Sequence, residues 1–318
     1  MKNRILLAVV IIVGLYGSTL GQITDAEKTL KTQSADTTKG WKKGGIMGIN
    51  MAQTSLTNWA AGGENSISVN GIFSVFANYK KGKNAWDNSL DLGYGILKQE
   101  SAKYVKKTDD KVDILSKYGR EAFKNFYYAA LLNFKTQMTT GYNYPNDTTR
   151  IKISDHFAPA YIVVALGLDY KPNAYFSMFA APLTGKITIV NDTLLSNAGA
   201  FGVEPGDKVK NEFGGYIRMI YSRNDFKGEF MKNVSFTTKI DLFSNYQKNP
   251  QNIVINWENI VAFKVNKYIS VNFNTLLIYD DKIKIGKDSN KDGVIQENEK
   301  KPRIQFKELL GVGFSYKF

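Results

Sequence analysis

The 318-residue chain contains no cysteine, a single histidine and 7 prolines. Without cysteine there is no disulfide scaffold, no thiolate zinc site, no thiol nucleophile and no acylated lipoprotein N-terminus. One histidine excludes a histidine metal cage and restricts any serine-type triad to His156. Long apolar runs are also scarce. Ile5 to Val13 is unbroken, and after it nothing reaches the roughly 20 residues a spanning helix requires. Acidic residues are outnumbered, with Lys+Arg 42 against Asp+Glu 29 and a formal net charge of +13. Nucleic-acid binding asks for a clustered basic patch interleaved with aromatics. Here the cations are spread over Lys80, Lys81 and Lys83, then Lys103, Lys106 and Lys107, then Lys300, Lys301 and Arg303, so no nucleic-acid partner is expected.

Aromatics are plentiful, with Tyr 18 and Phe 19. Lys2 and Arg4 precede the apolar run, and Thr19-Leu20-Gly21 follows with small residues, so residues 1–21 read as a cleaved secretory signal peptide. Residues 22–43 are polar, without apolar periodicity, and read as a periplasmic N-terminal tail. From Gly44 to Phe318 period-two alternation recurs. Phe126, Tyr128, Ala130, Leu132, Phe134 and Met138 alternate with Asn133, Lys135, Gln137 and Thr139. Val234, Phe236, Ile240 and Leu242 alternate with Ser235, Thr237, Lys239 and Asp241. A strand places such sets on opposite faces. The fold class is all-β, with about twelve strands starting near residues 44, 66, 85, 110, 124, 156, 174, 209, 228, 251, 267 and 303.

Short links (Lys81 to Asn84, Lys171 to Asn173, Ser222 to Asp225, Asn266 to Lys267) alternate with long ones (Glu100 to Asp109, Asn143 to Asp155, Pro182 to Asp207, Asp281 to Pro302). Short periplasmic turns, long external loops and an even strand number describe a transmembrane antiparallel β-barrel of the bacterial outer membrane. Alternation alone does not say which face is polar. A soluble β protein would turn its apolar face inward, an outer-membrane barrel outward.

Several stretches point to a family. Ser55-Leu56-Thr57-Asn58-Trp59-Ala60-Ala61-Gly62-Gly63-Glu64-Asn65-Ser66, Trp86 with Leu92-Gly93-Tyr94-Gly95, Gly167-Leu168-Asp169-Tyr170, Pro182-Leu183-Thr184-Gly185-Lys186 and the closing Gly313-Phe314-Ser315-Tyr316-Lys317-Phe318 resemble the family known as domain of unknown function 3078. The resemblance would cover nearly the whole mature chain. It implies an outer-membrane barrel of a Gram-negative bacterium and no established activity.

The sharpest local motif is Asp288-Ser289-Asn290-Lys291-Asp292-Gly293-Val294-Ile295-Gln296-Glu297-Asn298-Glu299, which fits the calcium-loop pattern D-x-[DN]-x-[DN]-G-x5-E. Asp288, Asn290 and Asp292 offer side-chain oxygens, Val294 a backbone carbonyl, and Glu299 a closing carboxylate. A structural Ca2+ in an external loop is the expectation, with strands rather than helices on both flanks. Three nearby lysines weaken the affinity, and a plain polar turn is the alternative. Ser154-Asp155-His156 is no triad, because adjacent strand residues point to opposite faces. Trp59, Trp86 and Trp257 are expected in interfacial girdles, with sugar stacking as the alternative reading.

With the polar face inward, the lumen would be lined by Asp87, Asp91, Lys135, Arg218, Lys239, Asp241, Glu258 and Lys264, together with Glu212 and Lys307. Both signs occur, so these residues either line a narrow aqueous path or pair and close it. Twelve strands fall between barrels filled by their own side chains and open porins. The segment Pro182 to Asp207 is the candidate constricting loop. The expected function is a narrow, porin-like channel for small polar solutes, not an enzyme. A closed structural or accessory barrel interacting with envelope machinery is the alternative, and an embedded lipid hydrolase a more distant one. Outer-membrane lipid and lipopolysaccharide are the expected partners.

Overall fold

The computed structural model describes residues 39–57, 64–146, 148–173, 175–223, 225–229, 231–264, 266, 269–286, 296 and 299–317. The expected signal peptide and most of the expected tail lie outside the described residues. Twelve strands form one antiparallel sheet: β1 (Gly40–Thr54), β2 (Ser66–Lys81), β3 (Asn84–Gln99), β4 (Lys106–Phe123), β5 (Phe126–Thr136), β8 (Ala160–Tyr170), β9 (Phe176–Ile189), β10 (Val209–Arg223), β11 (Val234–Asn245), β12 (Ile253–Lys264), β13 (Ile269–Tyr279) and β16 (Gln305–Lys317). Four short strands pair within the long links, β6 (Gly141–Asn143) with β7 (Ile151–Ser154) and β14 (Lys284–Gly286) with β15 (Lys300–Pro302). The twelve run as a meander whose ends meet, β16 lying beside β1. Among the described residues that seam holds three residue pairs, Ile46 to Gly48 against Ser315 to Lys317, whereas β13 and β16 share ten and β1 and β2 share fifteen. Among the described residues no helix is long and apolar enough to cross a membrane.

The wall alternates as the sequence does. On β5, Tyr128 is 64% exposed and Leu132 49%, while Leu131 between them is 3% exposed. Ile114, Val164, Leu166, Leu183, Phe213, Trp257 and Phe273 face outward in the same way. The buried positions are divided about equally between polar residues, among them Ser74, Asn78, Asp87, Asn133, Asp169, Thr184, Glu212, Thr237 and Lys239, and apolar ones, many of them alanines. The large apolar side chains thus lie mostly on the outward face, the reverse of a soluble β protein, in which the apolar face is the hidden one. A small apolar cluster, Leu131, Ala165, Phe179 and Ala181 with Tyr216 packed against it, fills part of the interior between β5 and β10.

Three expectations change. The boundary between tail and barrel moves from 44 to 40, because Trp41 pairs opposite Tyr79 and stacks near it at 5.2 Å, extending β1 downward. Alternation continues past β5 in the sequence, but the strand stops at Thr136. The Asp110 carboxylate accepts hydrogen bonds from the Met138 and Thr139 backbone N–H groups (2.7 and 2.9 Å) and turns the chain there. The candidate constricting loop does not begin at Pro182, since Pro182 to Ile189 belongs to β9. Both neighbours shift register at this point: β8 between Leu166 and Leu168, β10 between Gly214 and Tyr216. A β-bulge needs no ladder donor from Pro182, so a proline sits inside a strand without breaking it. Gly167 is required opposite the bulge, since a Cβ there would stand 2.0 Å from the Ala180 carbonyl oxygen.

Residues 190–208, which remain as the link, carry the short helix α1 (Thr193–Asn197), capped by Asp192, whose side chain accepts from the Leu195 N–H at 2.9 Å. Val190, Leu195 and Val203 bury against Ala158 of the link between β5 and β8, so the two longest described links share a small core above the barrel.

Candidate functional site

The chemistry of this barrel is concentrated on its inner face, where the charged side chains meet in three groups. Cross-strand register places Asp87 opposite Lys117 and Tyr127 opposite Asp169 at the short-turn end. There Lys117 Nζ lies 2.7 Å from Asp169 Oδ2, and Lys171 Nζ lies 3.1 Å from the same atom and 3.5 Å from Asp87. Lys171 also sits over the Tyr127 ring, 5.5 Å from its centroid. Asp169 Oδ1 and Asn78 Nδ2 are buried with no hydrogen-bond partner among the described residues.

At mid-height Asp91 and Asp113 are directly opposite on β3 and β4. Two carboxylates so placed repel unless each is compensated. Asp91 accepts from the Ser74 hydroxyl, and Asp113 has Asn133 Nδ2 at 2.7 Å, Lys135 at 3.5 Å and Lys111 at 3.9 Å. Another part of the wall carries Arg218 Nη1, 3.5 Å from Asp241, with the Tyr216 hydroxyl donating to the same carboxylate at 2.6 Å. Lys239 pairs with Glu258 at 3.1 Å.

Near the long-loop end Glu212, 4% exposed, is surrounded by cations. Lys186 lies at 3.4 Å, Lys210 at 3.5 Å, and Lys282 reaches in from the link after β13 to donate to Glu212 Oε1. Asn245 Nδ2 donates to the same oxygen at 3.0 Å. The sequence reading therefore brings together Asp87, Asp91, Lys135, Arg218, Lys239, Asp241, Glu258 and Glu212 as inward residues with partners. Lys264 and Lys307 are placed by backbone opposite Ser270 and Leu276, and their side chains lie outside the description.

Eight partners were missed: Lys111, Asp113, Lys117, Asp169, Lys171, Lys186, Lys210 and Lys282. For Asp113, Lys117, Lys186 and Lys210 the signal was present, because each sits two residues from a position already assigned inward on its own strand or directly opposite one; Lys111 and Asp169 have no such neighbour. Lys282 comes from a link and has no such signal.

Of the calcium-loop residues, Asp288, Asn290, Asp292 and Val294 lie outside the described residues. Glu299 is buried and accepts from the Gln296 N–H at 3.1 Å. The flanks are the paired strands β14 and β15, with Gly286 opposite Lys300. His156 is exposed and precedes β8 instead of starting it. Its ring edge meets Phe157 at 4.1 Å. Ser154 donates to Gln137 and the Asp155 carboxylate engages Thr140, Lys152 and the His156 backbone N–H, so these three residues form no catalytic chain.

Lys152 bridges Asp155 (2.7 Å) and Asp192 (2.9 Å), joining the two docked links. The Lys152 hydrogen bond holds the Asp155 carboxyl down to about 2, and the two carboxylates raise the Lys152 ammonium above its usual range. Trp86 and Trp257 both face outward, whereas Asn58, Trp59, Gly62 and Gly63 lie outside the described residues.

Fold and interior together define a β-barrel with an apolar outer face and an ionic lumen. Residues 51–142 match the family described as "Protein of unknown function (DUF3078)", so the resemblance to that family is shown over this segment of the chain. No curated protein matches the sequence. Among solved structures, the translocator domain of autotransporter NalP from Neisseria meningitidis is 9% identical, with 94% of this chain and 98% of that one covered and a TM-score of 0.39. The COG4313 outer membrane channel from Pseudomonas putida F1 is 9% identical, covering 89% and 97% with a TM-score of 0.39. OmpT, an outer membrane protein of Vibrio cholerae, is 10% identical, covering 87% and 97% with a TM-score of 0.32. Likenesses of this size carry no argument about function.

Proposed function

We propose that this chain is an outer-membrane β-barrel of twelve strands whose lumen is closed by its own paired charges, a structural or accessory component of the envelope and not an open pore. The reversed polarity of the wall supports the membrane reading, because only a closed sheet with an apolar exterior satisfies its backbone in lipid. The observation that carries the closed lumen is the pairing itself. The inward charges Asp87, Asp113, Lys117, Asp169, Lys171, Glu212, Arg218, Asp241, Lys239 and Glu258 all have an opposite charge within 3.5 Å. Such side chains are held by each other and do not line free water. Passage of small polar solutes is the second reading, favoured by one observation: about half of the buried positions are polar rather than parts of an apolar core.

The refolded mature protein in a planar bilayer decides between them. Absence of current steps in a protein that inserts and shows heat-modifiable mobility supports the closed reading. Discrete steps whose ion selectivity changes with Arg218→Glu or Lys239→Glu overturn it in favour of solute passage. We further propose that Asp288, Asn290, Asp292, the Val294 carbonyl and Glu299 hold a Ca2+ that stiffens the link between β14 and β15, with affinity in the range of about 10⁻⁴ to 10⁻³ M. Protease cleavage near Asp292 should slow in millimolar calcium and recover with chelator. Unchanged cleavage removes the metal from the account. External lysines are proposed to meet lipopolysaccharide phosphates.

A further inference from the structure

The outer face of β1–β4 is layered. Register puts four rows of outward residues side by side, climbing from the short-turn end. The lowest carries Lys81, Asn84 and Arg120. Next come four aromatics, Trp41, Tyr79, Trp86 and Tyr118, with Trp41 5.2 Å from Tyr79 and 5.9 Å from Trp86. Above them lie Lys43, Ala77, Asn88 and Ser116, and then the aliphatic row Gly45, Val75, Leu90 and Ile114. Apart from the short row with Lys43, Asn88 and Ser116, cations, interfacial aromatics and aliphatics follow one another as in one bilayer leaflet from headgroup to acyl chain.

Two details distinguish this wall from a plain lipid-facing surface. First, the two upper rows form a groove of about 590 Å³, because Gly44, Ala77 and Ser116 are small where their neighbours are large. The polar row continues onto β5 and β8 as Leu132 and Val164, both about half exposed, which end it. The polar atoms in the groove are already satisfied. Trp86 Nε1 donates to Ser116 Oγ (2.9 Å), Ser116 donates to Asn88 Oδ1 (2.8 Å), and Asn88 Nδ2 donates to the Ala77 carbonyl (3.0 Å). A hydrocarbon chain can therefore lie against them without stranding a donor.

Second, Lys81 and Arg120 in the lowest row are exposed, and neither has a carboxylate partner among the described residues. Inside the barrel nearly every cation is neutralised. Below this groove two are not.

We infer that the outer face of β1–β4 binds one anionic phospholipid, its phosphate held between Lys81 and Arg120 and an acyl chain lying in the groove of Val75, Leu90 and Ile114. The inference rests on the membrane reading above and adds a specific ligand to it. Charge complementarity selects an anionic headgroup over a zwitterionic one. The groove selects a lipid over a soluble anion, which would have no use for the aliphatic row.

The full mature chain is refolded in detergent, incorporated into bilayers of mixed phosphatidylglycerol and phosphatidylethanolamine, and released for native mass spectrometry. A retained phosphatidylglycerol is expected, with each of Lys81→Gln and Arg120→Gln lowering the preference about five-fold. Ala77→Leu with Ser116→Leu fills the groove and should abolish retention of either lipid while leaving the cations in place. Equal retention of the two lipids, or a variant with both Lys81→Gln and Arg120→Gln that keeps its phosphatidylglycerol, overturns the proposal.

Because a groove variant can fail to fold, a second measurement uses the unaltered protein. Trp41 and Trp86 emission should be quenched more strongly by brominated-chain phosphatidylglycerol than by brominated phosphatidylethanolamine, and equal quenching counts against the site. Failure of the membrane reading itself would look different: the unaltered chain would not insert and would show no heat-modifiable mobility.

Discussion

The two ends of the lumen use the same chemistry and differ in who supplies it. At the short-turn end Asp87, Lys117 and Asp169 come from strands and Lys171 from the residue directly after one, so two carboxylates and two ammoniums balance within the wall. At the long-loop end one carboxylate, Glu212, holds three lysines, and one of them, Lys282, belongs to a link. The lower group is a fixed fitting of the wall. The upper group is a latch whose third member arrives with a loop, so its integrity depends on how that loop is docked.

Removing the central carboxylate at either end tests this contrast most strongly. Asp169→Ala strands Lys117 in a buried setting and leaves Lys171 with Asp87 alone, a loss of about 3 kcal/mol or more, read as a lower urea midpoint for unfolding in micelles. Asp169→Asn should lie between. Glu212→Gln keeps the shape and leaves hydrogen-bonding capacity for Lys282, so about 2 kcal/mol is expected. An equal or larger loss at Glu212 would erase the distinction between fitting and latch. Lys282→Met should be smaller again in the urea midpoint but should speed protease cleavage between residues 280 and 304, an effect no lower-end variant should share.

The smallest effect concerns the docked links alone. Asp155 is held at about 2 against an ordinary 3.8. A depressed carboxyl stabilises the folded arrangement above its unfolded value and stops doing so as pH falls through the folded one. Docking of the links should therefore weaken between pH 4 and pH 2, seen as faster amide exchange at Leu195 and Ala158. Lys152→Met should produce the same loosening at pH 7 with the barrel's urea midpoint unchanged.

Much of this architecture was legible in the sequence because a strand's period of two survives any tertiary context. The expected starts near 66, 85, 209, 251 and 267 lie within two residues of Ser66, Asn84, Val209, Ile253 and Ile269. The sign of the faces was not legible, since alternation is the same pattern read from inside or outside. Pro182 misled for a physical reason: it is a breaker in a regular ladder and tolerated in a bulge, and a bulge is visible only once β8 and β10 are aligned against β9. The lumen was half legible. Arg218 and its directly opposite partner Asp241 both announced themselves as charges in apolar alternation, whereas the partner of Asp87, Lys171, lies past the end of a distant strand. Lys282, from a link, obeys no period at all.

The β1–β16 seam has a mechanical consequence. Each joint of the ring is a zip whose strength grows with its rungs, and this one has three where its neighbours have ten and fifteen. Drawn out of a bilayer by either terminus, the chain should part at this joint first and then peel away two strands at a time, each hairpin giving its own force peak. The ring is therefore a row of hairpins bent until its ends touch, and in assembly its last act is the cheapest one.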